Sequence, residues 1–464
     1  MKIFDTIAAI ATPVGVGGIA IIRISGESAE ECAERIVFPK NGKALSKTES
    51  HKLVLSDIKR LSDGMTLDEG LVSVMRAPNS YTGETVVEIN CHGGHVVATT
   101  ILEELFRCGV RQADAGEFTR RSFMNGKTDL LKAEAIGDII HSNSLLGQEN
   151  AAKVLSGRLT EKVEKIRENA VYFAARLSAI ADYPDEIDEL SGEELFDAVE
   201  SIASGIDELL QGFDKGRIMR DGIQTVIVGR PNVGKSSLLN AISRSKRAIV
   251  TDIPGTTRDT VEEYVNVKGI ALKLIDTAGI RESENQVEQI GIERAKESVK
   301  DADLCLFVLD ISEDISKEDL EIFDYIRNKN VIVILNKTDK AGRVDAGAYA
   351  EALKTDEENF IYTSTPDGGE ATGIDELEDK IVKLFMAGGI SKDEVFISNE
   401  RQKASLIKAK EIAENMKDCI KNGLSTDLLY VDLEDLISAI GEVTGVTVQD
   451  EIIDEVFKRF CVGK

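Results

Sequence analysis

The 464-residue sequence predicts a multidomain protein of α/β plus α class: an N-terminal α+β module, a helical domain, and an α/β domain inserted into that helical domain. Three observations carry this prediction. Short β-like runs separated by Gly-rich turns fill the chain to about Thr119. Apolar residues at helical spacing occupy two stretches far apart, after Thr128-Asp129 and after Ser398. Between them, from Gly222 to about Ala387, strands and helices alternate. The expected boundaries are 1–119, 120–217, 218–387 and 388–464, with the second and fourth segments forming the two parts of one helical domain.

In the first segment, Ile19-Ala-Ile-Ile-Arg-Ile, Leu71-Val-Ser-Val-Met and Val86-Val-Glu-Ile read as strands, and Val96 to Phe106 as a helix. The uncharged stretch Thr6 to Ile22 resembles a signal segment, but Asp5 precedes it and Pro13, Gly15, Gly17 and Gly18 interrupt it, so strand, turn and strand are expected. Thr128-Asp129 marks a helix start, after which Leu131, Ala135 and Ile139 fall on one stripe. Leu155, Leu159, Val163, Ile166, Ala170, Phe173, Leu177 and Ile180 then advance in steps of three and four, the pattern of a long helix packing on other helices. In the inserted segment, Thr225-Val-Ile-Val, Leu272-Lys-Leu-Ile, Leu304-Cys-Leu-Phe-Val-Leu and Val331-Ile-Val-Ile-Leu are apolar throughout, as in a mostly parallel sheet covered on both faces. Helical spacing returns with Leu406, Ala409, Ile412, Met416 and Ile420, then Ile453, Val456, Phe457 and Phe460.

The 82 Asp+Glu against 56 Lys+Arg give a formal net charge of −26, which argues against a chain that grips nucleic acid by its own charge. Nine acids lie between Asp182 and Glu200 with no Lys or Arg among them, and they read as a solvated face. The six cysteines contain no C-x-x-C pair, so neither a zinc ribbon nor a disulfide framework is encoded, and a reducing cytoplasm is the expected compartment. No run of about 18 apolar residues predicts a membrane span. Four histidines without H-E-x-x-H argue against a dedicated transition-metal site.

Gly229-Arg-Pro-Asn-Val-Gly-Lys-Ser236 follows the strand Thr225 to Val228 and precedes a helix expected to open at Ser237, the context that G-x-x-x-x-G-K-[ST] requires. Backbone N–H groups of Asn232, Val233 and Gly234 would face phosphate. Lys235 would neutralise the β- and γ-phosphates, and Ser236 would place its hydroxyl on Mg²⁺. Asp276-Thr277-Ala278-Gly279 closes the next strand, where the carboxylate reaches the Mg²⁺ shell and the glycine N–H senses the γ-phosphate. Asn336-Lys337-Thr-Asp339 closes another. A carboxylate there accepts from both N1–H and the 2-amino group of guanine, which selects GTP over ATP.

With Gly255-Thr256-Thr257-Arg258 between these motifs, the segment resembles the Ras-like, translation-factor-related P-loop GTPases. That resemblance adds Ser237, Thr251 and Ser364 to the expected GTP contacts and makes Thr257 the Mg²⁺-binding switch hydroxyl, with Thr256 as the alternative. Two departures stand out. Ser364-Thr-Pro replaces the family's Ser-Ala-Lys beside the base, and Ile280 stands where Ras has the glutamine that orients the attacking water. Hydrolysis is therefore either slow or assisted by another residue or an ion.

Further passages narrow the resemblance. Ala77-Pro-Asn-Ser-Tyr-Thr-Gly-Glu84, Cys91-His-Gly-Gly94, Ala115-Gly-Glu-Phe-Thr-Arg120, Gly126-Lys-Thr-Asp-Leu130 and the terminal Phe460-Cys-Val-Gly-Lys464 are similar to the MnmE (TrmE) tRNA-modification GTPases, over essentially the whole chain. This resemblance implies a homodimer whose N-terminal module is like a folate-binding domain. It implies a tetrahydrofolate one-carbon donor, 5-formyl- or 5,10-methylene-tetrahydrofolate, held by Arg23, Glu84, Lys127 and Lys464. It implies an FAD- and NADH-dependent partner, MnmG, with which an aminomethyl or carboxymethylaminomethyl group is added to C5 of the tRNA wobble uridine. It also implies that the two G domains meet across the dimer, with K⁺ on the Asn232 side chain, the Thr251 and Ile253 carbonyls, and Thr256. In this reading Glu288 positions the attacking water, beside Lys235 and Asp276 in the catalytic set.

Cys461, flanked by Lys458, Arg459 and Lys464, is either an activated thiol or the packed end of the last helix beside Phe457 and Phe460. An alternative from another class, a ribosome-assembly or signalling switch without tRNA chemistry, shares every G-domain motif.

Overall fold

The computed structural model describes residues 5–13, 15–245, 263–275, 299–340, 344–356, 360–366, 370–386, 389, 391, 393–423 and 426–464. The chain divides into two compact units, one of Met1–Gly137, Val154–Ala203 and Lys408–Lys464, the other of Asp138–Lys153 and Ser204–Ile407.

The first unit contains strands β1 (Ile7–Ile10), β2 (Ile19–Ser25), β3 (Val37–Pro39), β4 (Val54–Lys59), β5 (Thr66–Met75), β6 (Val86–His92) and β7 (Arg111–Gln112) in the order β3-β4-β5-β6-β2-β1-β7. The expected strand, turn and strand of the N-terminus are β1 and β2, paired antiparallel from Ile7 opposite Ser25. Period-two alternation turns Ile22, Ile24, Val72, Val74, Val87 and Ile89 to one face. There they meet Ala98, Ile101, Leu102 and Leu105 of helix His95–Arg107, one face of its 3.6-residue period. Full burial of each such aliphatic side chain contributes about 1.5–3 kcal/mol.

Helix Leu130–His141 starts where Asp129 Oδ1 accepts from the Lys132 N–H at 2.8 Å, an N-cap that satisfies one orphan donor. The long helix expected from Leu155 onward runs from Arg158 to Asp182, with Leu155 at the end of the helix before it. Helix Leu145–Leu155 stops, Gly157 takes φ +93°, and a second helix runs Arg158–Asp182. Steps of three and four continue through the break, but a left-handed residue ends a helix whatever the apolar spacing does. The second helix buries Leu159, Val163, Ala170, Phe173, Leu177 and Ile180 and packs along helix Thr426–Thr444. All nine acids from Asp182 to Glu200 are exposed.

The second unit is built on β8 (Ile223–Val228), β9 (Glu263–Val267), β10 (Ile270–Leu274), β11 (Leu304–Asp310), β12 (Asn330–Asn336) and β13 (Phe360–Tyr362), in the order β13-β12-β11-β8-β10-β9. All pairs are parallel except β9 with β10. Ile227, Leu306, Val308 and Ile334 face Leu238, Leu239, Ile242, Leu377 and Ile381 on one side. Val226, Phe307, Leu309, Val333 and Leu335 face Ile326, Tyr349 and Leu353 on the other. Burial on both faces is why these strands read as unbroken apolar runs. Among the described residues no helix is long and apolar enough to cross a membrane.

Candidate nucleotide site and a second polar site

The loop after β8 lies at the carboxyl end of the sheet, where open α/β folds bind ligands. Gly229 and Gly234 have φ +148° and +102°. A Cβ at Gly229 would sit 2.3 Å from the Val308 carbonyl oxygen, and one at Gly234 would sit 2.2 Å from Asn336 Nδ2. Only glycine lets the loop lie this close to the ends of β11 and β12. Helix Lys235–Ser245 begins two residues before the expected Ser237, because Leu238 N–H already donates to the Gly234 carbonyl at 2.9 Å and closes its first turn. Lys235 Nζ donates to the carbonyls of Gly229 at 2.6 Å and Arg230 at 2.8 Å. Burial lowers the pKa of this ammonium, so its charge lies in surroundings that strengthen its attraction for an anion.

The Asn336-Lys-Thr-Asp339 segment reaches the same loop. Asn336 is fully buried; its Nδ2 donates to the Val233 carbonyl at 2.9 Å, and its Oδ1 accepts from Thr363 Oγ1 at 2.9 Å. Lys337, at φ +66°, donates to the Asn232 carbonyl and to Asp310 Oδ2, the latter at 2.7 Å. Burial disfavours the charge on Asp310, but hydrogen bonds from Lys337 and Ser312 outweigh it and bring its pKa down to about 2. Ser364 Oγ donates to Asp339 Oδ1 at 2.7 Å and is the main cause of the lowered pKa of that carboxyl. Thr365 Oγ1 lies 3.4 Å from Asn336 Oδ1. The unusual Ser364-Thr-Pro loop thus supports both ends of the guanine motif through its hydroxyls.

Sequence reasoning missed two members of this site. Asp310 anchors Lys337, and Arg230 clasps Asp319 at 2.9 Å and Glu313 at 3.1 Å, tying the loop to the start of helix Lys317–Ile326. A carboxylate closing the apolar run Leu304–Leu309 was the available signal for Asp310. Thr251, Ile253, Thr256, Thr257, Asp276, Thr277, Ala278, Gly279, Ile280 and Glu288 lie outside the described residues.

In the first unit, Arg23 on β2 faces Glu88 on β6, its register partner, with Nε and NH2 each 2.9 Å from Oε1. Glu84 Oε2 accepts from Ser25 Oγ at 2.7 Å and from Arg121 NH1 at 3.1 Å. The stem of Lys127 packs 3.2 Å from where a Gly83 Cβ would lie, and its Nζ donates to the Pro78 carbonyl at 3.1 Å. The chain end docks here too, with Phe118 N–H donating to Lys464 O at 3.2 Å. Cys461 is exposed, and the Phe457 and Phe460 rings beside it are 5.5 Å apart. Beneath Glu84 lies a network that the motifs did not reveal. Arg121, 2% exposed, bonds Asp5 at 2.7 Å and Glu117 at 2.9 Å besides Glu84, and Arg111 bonds the same Asp5 and Glu117, each at 2.6 Å.

Comparison with known proteins identifies the family. The model of the MnmE helical domain matches residues 130–461, and the model of the GTP-binding protein TrmE N-terminus matches residues 6–127. The tRNA modification GTPase MnmE of Thermoanaerobacter pseudethanolicus is 45% identical over 465 residues, covering 100% of both chains. That of Carboxydothermus hydrogenoformans is 44% identical, covering 99% of both. Among solved structures, a variant of Aquifex aeolicus Era bound to GDP and AlF4⁻ is 32% identical over 40% of this chain and 65% of its own, with a TM-score of 0.27. The chain belongs to the MnmE family of tRNA-modification GTPases.

Proposed function

We propose that this GTPase works as a homodimer with an FAD- and NADH-dependent MnmG partner to add an aminomethyl or carboxymethylaminomethyl group to C5 of the tRNA wobble uridine. The one-carbon donor is a tetrahydrofolate derivative. The observation that supports the nucleotide half most directly is the fastening of Asn336 and Lys337 onto the carbonyls of Val233 and Asn232, which joins the guanine motif to the phosphate loop.

In GTP hydrolysis, water attacks the γ-phosphorus, the bond from that phosphorus to the β–γ bridging oxygen breaks, and negative charge moves onto that oxygen. Lys235 exchanges the Gly229 and Arg230 carbonyls for phosphate oxygens. Its desolvated charge is then worth more to the transition state than it would be in water. Ser236, Thr257 and Asp276 are the residues for Mg²⁺; Asn232, Thr251, Ile253 and Thr256 are those for K⁺. Bound there, the two cations would supply positive charge where Ile280 offers no hydrogen bond, with Glu288 as the residue to orient the water. Asn232 stands at φ +64°, and its carbonyl accepts from Lys337 Nζ.

In the first unit, a carboxylate held ready by Ser25 and Arg121 suits the amino and ring N–H groups of a pterin. Lys127, Lys464 and Arg23 suit the two carboxylates of a folate's glutamate, and Arg23 NH1 reaches the carbonyl of Gly463, next to Lys464. Two measurements test the reading. GTP turnover is expected to be several-fold faster in K⁺ than in Na⁺, and equal rates overturn the cation role. Nucleoside analysis of tRNA from cells lacking the chain is expected to show loss of the modified wobble uridine, and its retention favours a switch without tRNA chemistry.

A further inference from the structure

Ser144, just before helix Leu145–Leu155, and Gly147, Asn150 and Ala151 within it are buried at helical spacing and form one stripe. Contacts of this stripe, and of Lys153 beside it, lie within the second unit. Ser144 Oγ donates to the Met219 carbonyl at 2.9 Å, and a Cβ at Gly147 would sit 2.3 Å from the same carbonyl oxygen, so helix Phe213–Asp221 lies directly against it. Asn150 grips residue 396 twice, its Nδ2 donating to the Phe396 carbonyl at 3.1 Å and its Oδ1 accepting from the Phe396 N–H at 3.0 Å. Lys153 Nζ donates to the Glu394 carbonyl at 2.9 Å.

The same helix meets the hairpin that lies between the Gly255–Arg258 and Asp276–Gly279 motifs. Leu146 N–H donates to the Gly269 carbonyl at 3.2 Å, and the Leu146 side chain packs on the core of that sheet, 3.5 Å from where a Gly269 Cβ would lie. Lys268 and Gly269 form the turn between β9 and β10, at φ +48° and +95°, the left-handed pair that a tight hairpin turn requires. The two strands pair in unbroken register from Glu263 opposite Leu274 to Val267 opposite Ile270. At their other end the chain runs on through Leu274 to Asp276, and back from Glu263 to Thr257. A ladder of fixed register does not stretch, so a shift at that end moves the turn as well.

We propose that helix Leu145–Leu155 is the output element of the nucleotide site. The state of the nucleotide is felt at Thr257 and Asp276, is carried along β9 and β10 to Gly269, and passes through Leu146 into a helix that Asn150 and Lys153 keep in step with the rest of the second unit. From there it leaves along the chain, because the boundary at Gly137–Asp138 falls inside helix Leu130–His141 and one unbroken helix crosses it. The assignment rests on the placing of Thr257 and Asp276 at the nucleotide. It makes the body that answers to GTP larger than residues 218–387, adding Asp138–Lys153 to it.

The test is amide hydrogen exchange on the full-length protein with GDP and with the non-hydrolysable analogue GppNHp. Exchange at β9 and β10, in helix Leu145–Leu155 and in helix Leu130–His141 is expected to differ several-fold between the two nucleotides. Leu146→Ala removes the packing beneath the turn. It is expected to keep the difference at β9 and β10, abolish it in helix Leu130–His141 and leave GTP turnover unchanged. Asn150→Asp keeps the acceptor for the Phe396 N–H and loses only the donor to the Phe396 carbonyl. This milder variant is expected to shrink the same difference, and it decides the matter if Leu146→Ala also loosens β8 and β11. In the unaltered chain, a difference that stops at β9 and β10 overturns the proposal alone, whereas no difference there overturns the reading of Thr257 and Asp276 and the proposal with it. A difference in helix Leu130–His141 that survives both substitutions overturns the route through Leu146. Loss of turnover in step with the difference makes helix Leu145–Leu155 a support of the nucleotide site rather than its output, and overturns the proposal as well.

Discussion

In the nucleotide site, Lys235, Asn336 and Lys337 converge on the backbone carbonyls of a single loop, Gly229–Val233. Around Glu84 the network draws on positions 5, 25, 111, 117 and 121, which meet through side-chain charges and the Ser25 hydroxyl. The first arrangement is a shape: its glycines and its strand-end position do most of the positioning, and its polar side chains act in small separate groups, Lys337 with Asp310, Asn336 with Thr363 and Asp339 with Ser364. The second is a charge balance, with four carboxylates, Asp5, Glu84, Asp114 and Glu117, on two guanidiniums, in which each buried member depends on the rest. The sites should therefore fail differently, the nucleotide site by losing one function at a time and the other by losing structure.

The sharpest way to break this contrast is Arg121→Met. Removing a buried cation that holds Asp5, Glu84 and Glu117 is expected to cost the first unit about 3–5 kcal/mol, because uncompensated carboxylates stay behind. Hydrogen exchange at β2 and β6 amides measures it, and a loss under about 1 kcal/mol would mean the network is solvated. GDP affinity should not change. Next comes Lys235→Ala, expected to lower GTP turnover on the order of 100-fold while leaving amide protection in both units intact. A comparable loss of protection would mean that the loop, too, depends on charge balance.

A smaller effect appears with pH. Asp310 has a folded-state pKa of about 2 against an ordinary 3.8, so its contribution to stability is fully present above 3.8 and is lost as pH falls through about 2. Asp310→Asn is expected to flatten the acid limb of the second unit's unfolding between those values, followed by circular dichroism. An unchanged limb would mean that other carboxylates govern it.

How legible each region is in the sequence follows from the same contrast. The phosphate loop and the guanine motif are readable because a backbone shape demands particular residue types at fixed short spacing, such as Gly229 and Gly234 pressed against β11 and β12. Strands β1, β2, β5, β6, β8, β10, β11 and β12 are readable because alternation or continuity of apolar residues reports directly which faces are buried, whereas the short or edge strands β3, β4, β7, β9 and β13 carry too little of either pattern. Arg121 was invisible, although a quoted motif stops one residue before it, because nothing local distinguishes a buried arginine from a surface one. Its partners are assembled only by the fold. The break at Gly157 was missed for a related reason: apolar periodicity records which face is buried and does not register a single residue at positive φ.

The smallest predicted effect tests whether the nucleotide site really fails piece by piece. Ser364→Ala removes the hydroxyl that holds Asp339 Oδ1 at 2.7 Å and is the main cause of that carboxyl's lowered pKa, but the backbone at Asp339 also helps hold it. Losing one such hydrogen bond is expected to weaken GDP binding about three- to fivefold. Rejection of ATP should be retained, since guanine selection depends on where Asp339 sits and the buried side chain of Asn336 still ties this strand end to the phosphate loop. Equilibrium titration with fluorescent GDP, in competition with GTP and ATP, measures both quantities. If ATP binding rises as GDP binding falls, Ser364 is setting base specificity, and the base side of this site shares the interdependence seen around Glu84.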